Sequence, residues 1–449
     1  MNSLFPIIIE LIIGLVIVVA TLSKPYLGLA FILASQPIAE ILPRIPLISS
    51  IVPIIGAFTI IGILVQARNE HFRFAFRFSS LHIITLLLIF WIFISNPSAA
   101  WSASGRNWVF TFLQLWFLLW LAGFLLNTPR KHHAFMWIFS LTALISAIYA
   151  ITQGGSLYEI NPLIRASGLA QGANTATRYF VIAFVFFTHL NIVTKAKWPR
   201  FFLITGIVIT FLGVFYTASR TGILLLGVAF ILMLLLEYNF KNKVKIIVIS
   251  SIALIFLLSF SDSILKLVQG IFPSISQGTD TAGLRYALWK AGLQMWKDHP
   301  VAGVGIGMFP SQLHLYPNPQ YVYYFTNGLV AHNMYISMLA ETGIIGVVLF
   351  LAMLMAALNN FLKARKIQDV GFNRISKTWM IVFIVVLAGG ITKTDQVDKA
   401  LWLCLGLSVF FNNYQHYLKN IARETARKVA LQVDLKPNPS INPQLNRLP

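Results

Sequence analysis

A few charged side chains in this sequence fall where charge is expensive, at the edges of long apolar runs. Arg220 lies in Ser219-Arg220-Thr221-Gly222, just before one such run. Arg165 opens Arg165-Ala-Ser-Gly168, which leads through Asn174 and Arg178 into another. Arg285 is followed by Trp289, Trp296, His299, Pro300, Gly303, Gly305 and Gly307. His332 stands in Ala331-His332-Asn333, at the head of a run carrying Glu341, Gly343 and Gly346. An arginine near the centre of a membrane helix costs roughly 2.5–3.5 kcal/mol on insertion scales. Its rigid fork of donors suits phosphate oxygens. A single arginine at such an edge more often snorkels to lipid headgroups or meets a helix C-terminus. Three of them, with companion Gly and Ser residues, suit a diphosphate. Histidine is the usual general base near neutral pH, although one at a helix start is more often a structural hydrogen-bonding residue. Rivals for that role are few: Glu159, Asp262, Asp280, Asp298, Asp395 and Asp398.

Neighbouring residues have blander readings. Glu341 is roughly half a turn out of phase with His332 on one helix, so it is expected to satisfy polar groups within the bundle. Asp398 is expected to pair with Lys399 or Arg220. The run Gly303-Val304-Gly305-Ile306-Gly307 lacks the following lysine and the strand-loop-helix setting of a phosphate loop, and it reads as a tight loop. Residues 283–298 have helical character, with Arg285, Trp289 and Leu293 on one face. Trp289 and Trp296 fit an interfacial aromatic belt.

The elements that must position these residues belong to a membrane. Of 449 residues, 57% are hydrophobic and only 11% charged, against roughly 25% charged in a soluble domain. Runs long enough to cross a bilayer, about 20 residues each, fall near 5–22, 26–42, 47–66, 81–96, 108–126, 135–152, 177–194, 201–217, 222–238, 246–260, 332–356, 378–393 and 400–417. The second is interrupted by Gln36, Pro37 and Glu40, and a broken or re-entrant pair there would reduce thirteen spans to twelve. The expected fold is therefore an all-α polytopic bundle.

The net charge of +20 would suggest nucleic-acid binding in a soluble protein. Its distribution excludes that reading. Arg68, Arg73 and Arg77; Arg130 and Lys131; Lys195, Lys197 and Arg200; Lys241, Lys243 and Lys245; and Lys363, Arg365, Lys366, Arg374 and Lys377 mark alternate connections. With Lys419, Arg423, Arg427 and Lys428 they are expected to face the cytoplasm. The long connection 261–331 then faces the other side. The tail 418–449 is basic, and its Pro- and Asn-rich end, 436–449, reads as disordered. Residues 1–20 lack a basic leader and a small-residue cleavage site, so they read as a retained first span. Cys404 is alone, which excludes an intramolecular disulfide and a cysteine metal site. No repeat with paired broken helices, of the kind transporters use, is visible.

Taken together, these residues resemble the O-antigen ligase and O-antigen polymerase superfamily of bacterial envelope enzymes. The resemblance runs from about Arg165 to Trp402. It is carried by Arg165, Gly168 and Asn174; by the Ser-Arg-Thr-Gly turn; by Arg285, Trp289, His299-Pro300, Gly303 and Gly305; by His332-Asn333, Glu341, Gly343 and Gly346; and by Asp398-Lys399 with Leu401-Trp402. It implies N-terminal spans over 1–134, a catalytic membrane core of the GT-C type over 135–417 that includes the loop 261–331, and the tail.

The implied activity is an inverting, metal-independent glycosyl transfer at the periplasmic face of the bacterial inner membrane. The donor is a glycan on undecaprenyl diphosphate, and no cofactor is called for. His332 would act as general base, with Arg220, Arg285 and Arg165 on the diphosphate and Asn333, Asn174, Asp398 and Glu341 in support. Asp395 and Asp398 are the only acidic pair that could hold a metal there. A ligase would pass the glycan to lipid A–core and a polymerase to a growing polysaccharide. A third branch glycosylates proteins, and the compact loop favours the ligase. Outside the enzyme class the alternative is an anionic-solute transporter or lipid-linked glycan flippase, which mid-depth charges would favour.

Overall fold

The structure is a computed structural model that describes residues 4–42, 52–67, 79–153, 166–217, 219–236 and 281–434. Arg165, the expected span 246–260, the basic stretches at 68–77 and 241–245, the first part of the expected loop (261–280) and the tail from 436 lie outside them.

Numbered in chain order, the described helices are α1 (Leu4–Ser23), α2 (Pro25–Ala34), α3 (Val52–Ala67), α4 (Ser80–Ser95), α5 (Pro97–Trp101), α6 (Ala103–Leu125), α7 (Pro129–Gln153), α8 (Ala173–Val193), α9 (Lys197–Tyr216) and α10 (Arg220–Leu236). After the undescribed stretch come α11 (Thr281–Asp298), α12 (Phe309–Gln312), α13 (Val322–Thr326), α14 (Met334–Ala364), α15 (Val370–Gly389) and α16 (Lys399–Asp434). No strand occurs among the described residues.

In lipid every backbone polar group must be satisfied within the chain, and apolar runs of this length meet that demand as helices. Six of them, α6, α7, α8, α9, α14 and α15, are long and apolar enough to cross a membrane. Their neighbours α1 to α4 and α10 add shorter apolar helices. Large apolar side chains such as Phe90, Leu224 and Met355 point outward and are more than half exposed, as lipid-facing positions should be. The chain is a multi-pass helical membrane protein.

Several expected spans differ from the structure at their ends, including 378–393, which is helical over Val370–Gly389, and two differ for reasons the residues explain. The run 26–42 does not form one helix: α2 stops at Ala34 and turns follow to residue 42. Pro37 lacks an amide donor and disfavours helix in the residue before it. Ser35 Oγ instead donates to Ile32 O at 2.8 Å, and Glu40 N–H donates to Leu169 O at 2.9 Å, docking the turn on the loop before α8. The last span, expected over 400–417, continues as helix to Asp434. Residues 418–434 contain neither Gly nor Pro, so nothing in them stops the helix.

The most enclosed of the six long helices is α8, packed among α7, α9, α10 and α15. Contacts between helix ends sort the bundle into two poles. His189 near the end of α8 bonds His133 at the start of α7 and Thr378 in the first half of α15. That pole carries the basic residues Arg130, Lys131, Arg365 and Arg374. At the other pole the beginnings of α8, α10, α14 and α16 meet the end of α15.

A cap of α11, α12 and α13 sits on the second pole. Its apolar centre comprises Leu288, Met295, Phe309, Leu313 and Phe325, and it joins α14 through Ala340. Helix α14 is kinked at Gly343, whose φ of 65° and ψ of −167° break the hydrogen-bond ladder. The glycine-rich loop repairs the break. Val304 N–H donates to Ala340 O at 2.9 Å, Gly305 N–H to Glu341 O at 3.0 Å, and Ile344 N–H to Pro300 O at 2.9 Å. Trp91 Nε1 donates to Thr342 O at 2.9 Å. The Gly-x-Gly-x-Gly run is thus a tight loop wedged against a broken helix.

A side chain at Gly303 would need φ +70°, and its Cβ would lie 2.5 Å from Thr342 N and 2.6 Å from Ala340 O. Gly303→Ala is therefore expected to cost about 1–3 kcal/mol. Gly227→Ala, which meets nothing within 4 Å, is the control. Melting temperatures of the purified protein should separate the two, and equal values would refute the wedge.

Candidate active site

Ser219 ends the approach to α10 and is fully buried. Its Oγ accepts the Gly222 N–H at 3.2 Å and donates to Asn174 Oδ1 at 2.9 Å. It is thus an N-cap that also ties α10 to α8. A Cβ on Gly222 would collide with Thr177, so this glycine permits the close approach of the two helices. Serine, glycine and Asn174 hold the turn together. Arg220 is left half-buried at the first position of α10, where the helix dipole favours anions.

One turn beyond Asn174, Arg178 is 1% exposed. Its guanidinium bonds Asp395 through Nη1 and Asp398 Oδ2 through Nη2, the latter at 2.7 Å. Lys393 Nζ lies 3.3 Å from the other oxygen of Asp395. This corrects the expected pairing of Asp398 with Lys399 or Arg220: the hydrogen-bonded partner is Arg178. The reason is depth. Arg178 has no route to water and must find carboxylates, and the loop between α15 and α16 delivers two. Asp398 also caps α16, its Oδ1 accepting the Ala400 N–H at 2.8 Å. Against burial, which would raise its pKa, Arg178 and Lys393 hold its carboxyl below the usual range.

Sequence reasoning named Arg178 without giving it a role, weighed Asp395 only as a rival base or metal ligand, and did not name Lys393. The available signal was an arginine just inside an apolar run, matched by two aspartates in another short connection.

His332 precedes α14. Among the described residues it alone, apart from glycines, has a positive φ, 49°, and histidine in that region costs free energy. Asn333 follows as the N-cap, its Oδ1 accepting from Tyr335 N at 2.9 Å and Ile336 N at 3.1 Å. Met334 N–H donates to Gly390 O at 2.8 Å. The cap and this tie lock the strained turn between two helix ends. Burial lowers the pKa of His332, and Arg285 on α11 and Lys393 lower it further. The imidazole is therefore neutral near pH 7 and able to take a proton.

His332, Arg285 and Lys393 accordingly share one electrostatic neighbourhood. Lys393 links it to Asp395, Arg178 and Asp398, and Asn174 links Arg178's helix to the Arg220 turn. Glu341 is directed elsewhere: its Oε1 accepts the Phe309 N–H at 3.1 Å beneath the cap. His299 is exposed on the cap surface. Arg165 lies outside the described residues, although Leu169, just after it, donates to Ser146 Oγ at 2.9 Å.

The described residues thus form a polytopic helical bundle in which His332, Arg285, Lys393 and Arg178 gather at one pole. Residues 205–351 match the family model described as O-antigen ligase, which supports the O-antigen ligase and polymerase superfamily and a glycosyltransferase-like activity of that type for this chain. The matched stretch includes Arg220, Arg285, His332, Glu341 and Gly343, whereas Arg178, Lys393, Asp395 and Asp398 fall outside it. A search of curated proteins gives no match.

Proposed function

We propose that this protein moves a glycan en bloc from undecaprenyl diphosphate to an acceptor hydroxyl at the periplasmic face of the inner membrane, with lipid A–core as the acceptor. The observation that carries this reading is His332, strained, locked in place and kept neutral beside Arg285 and Lys393. In the reaction the acceptor hydroxyl attacks the anomeric carbon of the first sugar. Its proton goes to His332 as the new glycosidic bond forms. The bond from that carbon to the diphosphate oxygen breaks, and undecaprenyl diphosphate leaves. A single displacement inverts the anomeric centre. Arg220 and Arg285, with Arg165, neutralise the charge that grows on the bridging oxygen.

Diphosphate leaves readily once its charge is countered, so arginines suffice for the work that a divalent cation does elsewhere. Asp395 and Asp398, the acidic pair that could have held a metal, are already engaged by Arg178 and Lys393, which favours the metal-independent reading. The charges lie at one pole rather than at mid-depth, which favours an enzyme over a transporter.

The test is transfer by the purified protein from a polyprenyl-diphosphate glycan, with release of the lipid diphosphate as readout. Loss of all turnover on adding a chelator would remove the metal-independent step. Glycan from a deletion strain separates the acceptors: free polymer with bare core means ligase, and single-repeat caps mean polymerase.

The pH dependence follows from the environment of His332. Its pKa lies below the ordinary 6.5, so kcat/KM, which reports the free enzyme, should stay on its plateau below pH 6.5 and fall only under more acidic conditions. Arg285→Gln removes one cause of the lowering and should move that acid limb upward, besides weakening donor use. A wild-type limb at or above 6.5 would contradict the assignment.

A further inference from the structure

Lys393 was selected by no motif, and the scheme above gives it no contact with the donor. The loop carrying it is laced to the first turns of α14 on both sides. Three residues before it, Gly390 O accepts the Met334 N–H at 2.8 Å. Three residues after it, Gln396 Nε2 donates to Ser337 Oγ at 3.2 Å. The two bonds bracket Lys393 next to the turn that presents His332.

The ion network beneath divides labour by depth. The side chains of Arg178 and Asp395 are 2% and 3% exposed, whereas that of Lys393 is 30% exposed. Arg178 is occupied by two carboxylates and closed to substrate. Asp395 spends one oxygen on Arg178 and the other on Lys393. The ammonium of Lys393 has three donors, and it is the part of this network that reaches the open side. A cation fixed at its base by a buried carboxylate is pre-organised, so little entropy is lost when a further anion binds it.

We propose that Lys393 is a donor-binding residue of this site, its ammonium contacting the diphosphate of the polyprenyl-linked glycan beside His332, with Arg178, Asp395 and Asp398 as its buttress. The inference rests on the proposed function. Lysine suits the task as a point charge on phosphate oxygens.

The experiment uses the full chain in lipid nanodiscs and measures affinity for undecaprenyl diphosphate, alongside melting temperature. In Lys393→Met the dissociation constant is expected to rise about 10-fold or more while the melting temperature is held, because Asp395 keeps Arg178. A lowered melting temperature with unchanged affinity would assign Lys393 to charge balance alone and overturn the proposal. Should the methionine variant fail to fold, Lys393→Gln, which can still donate to Asp395, carries the same two readouts. Wild-type protein with no preference for undecaprenyl diphosphate over undecaprenol would overturn the proposed function itself. Wild-type binding that the variants leave intact overturns the role of Lys393 only.

Discussion

His332→Gly should leave the protein folded and lower transfer by about 10²–10⁴-fold, the range that a positioned general base contributes. Glycine is chosen because of the backbone. At φ 49° a side chain is strained by roughly 1–2 kcal/mol, and glycine removes that cost, so a melting temperature equal to or above wild type is expected. His332→Asn tolerates the same left-handed turn and has no basic nitrogen, so it should be equally inactive. Two inactive, stable variants would separate the imidazole's chemistry from its place in the turn. Full turnover in either one would remove His332 from the mechanism. A large loss of stability in both would make it a structural histidine.

Arg178→Met is expected to be the most destabilising change at this pole, costing about 3–5 kcal/mol. The loss comes less from the removed pair than from what remains: two carboxylates, Asp395 and Asp398, at a buried position, offset among the described residues by Lys393 and Lys399. The compensating variant Arg178→Met/Asp395→Asn/Asp398→Asn should recover most of the loss. Asparagine at 398 can still accept the Ala400 N–H that caps α16. Melting curves of the single and triple variants decide. A triple variant no more stable than the single would mean that Arg178 acts through packing, since its guanidinium also lies 5.5 Å from the ring of Tyr179.

The same pairing sets a pH window. Asp398 titrates below its unfolded value of 3.8, so its contribution is fully present above that value and is lost as the pH falls through the folded one.

Much of this was readable in the residues. Apolar runs identified helices, and broken runs identified breaks: Gln36 and Pro37 mark the end of α2 as clearly as the structure does. The three glycines of residues 303–307 read as a tight loop because they lack a phosphate loop's context, and they are one. What they wrap was not readable. The loop groups that repair the kink at Gly343 are 36 to 44 residues from the groups they bond, and one glycine in a long helix does not reveal which backbone will replace its lost bonds.

By itself the sequence determined the solvent of this protein and its helical class, and it narrowed the candidate site to a few side chains, because lipid allows few places for arginine and histidine. Only the tertiary structure decided partners. Arg178 and Asp395 are 217 residues apart, and nothing local prefers that pair to Asp398 with Lys399. Burial makes the choice: a guanidinium on the most enclosed helix bonds the carboxylates that packing brings to it, and the exposed end of that network is the lysine left beside His332.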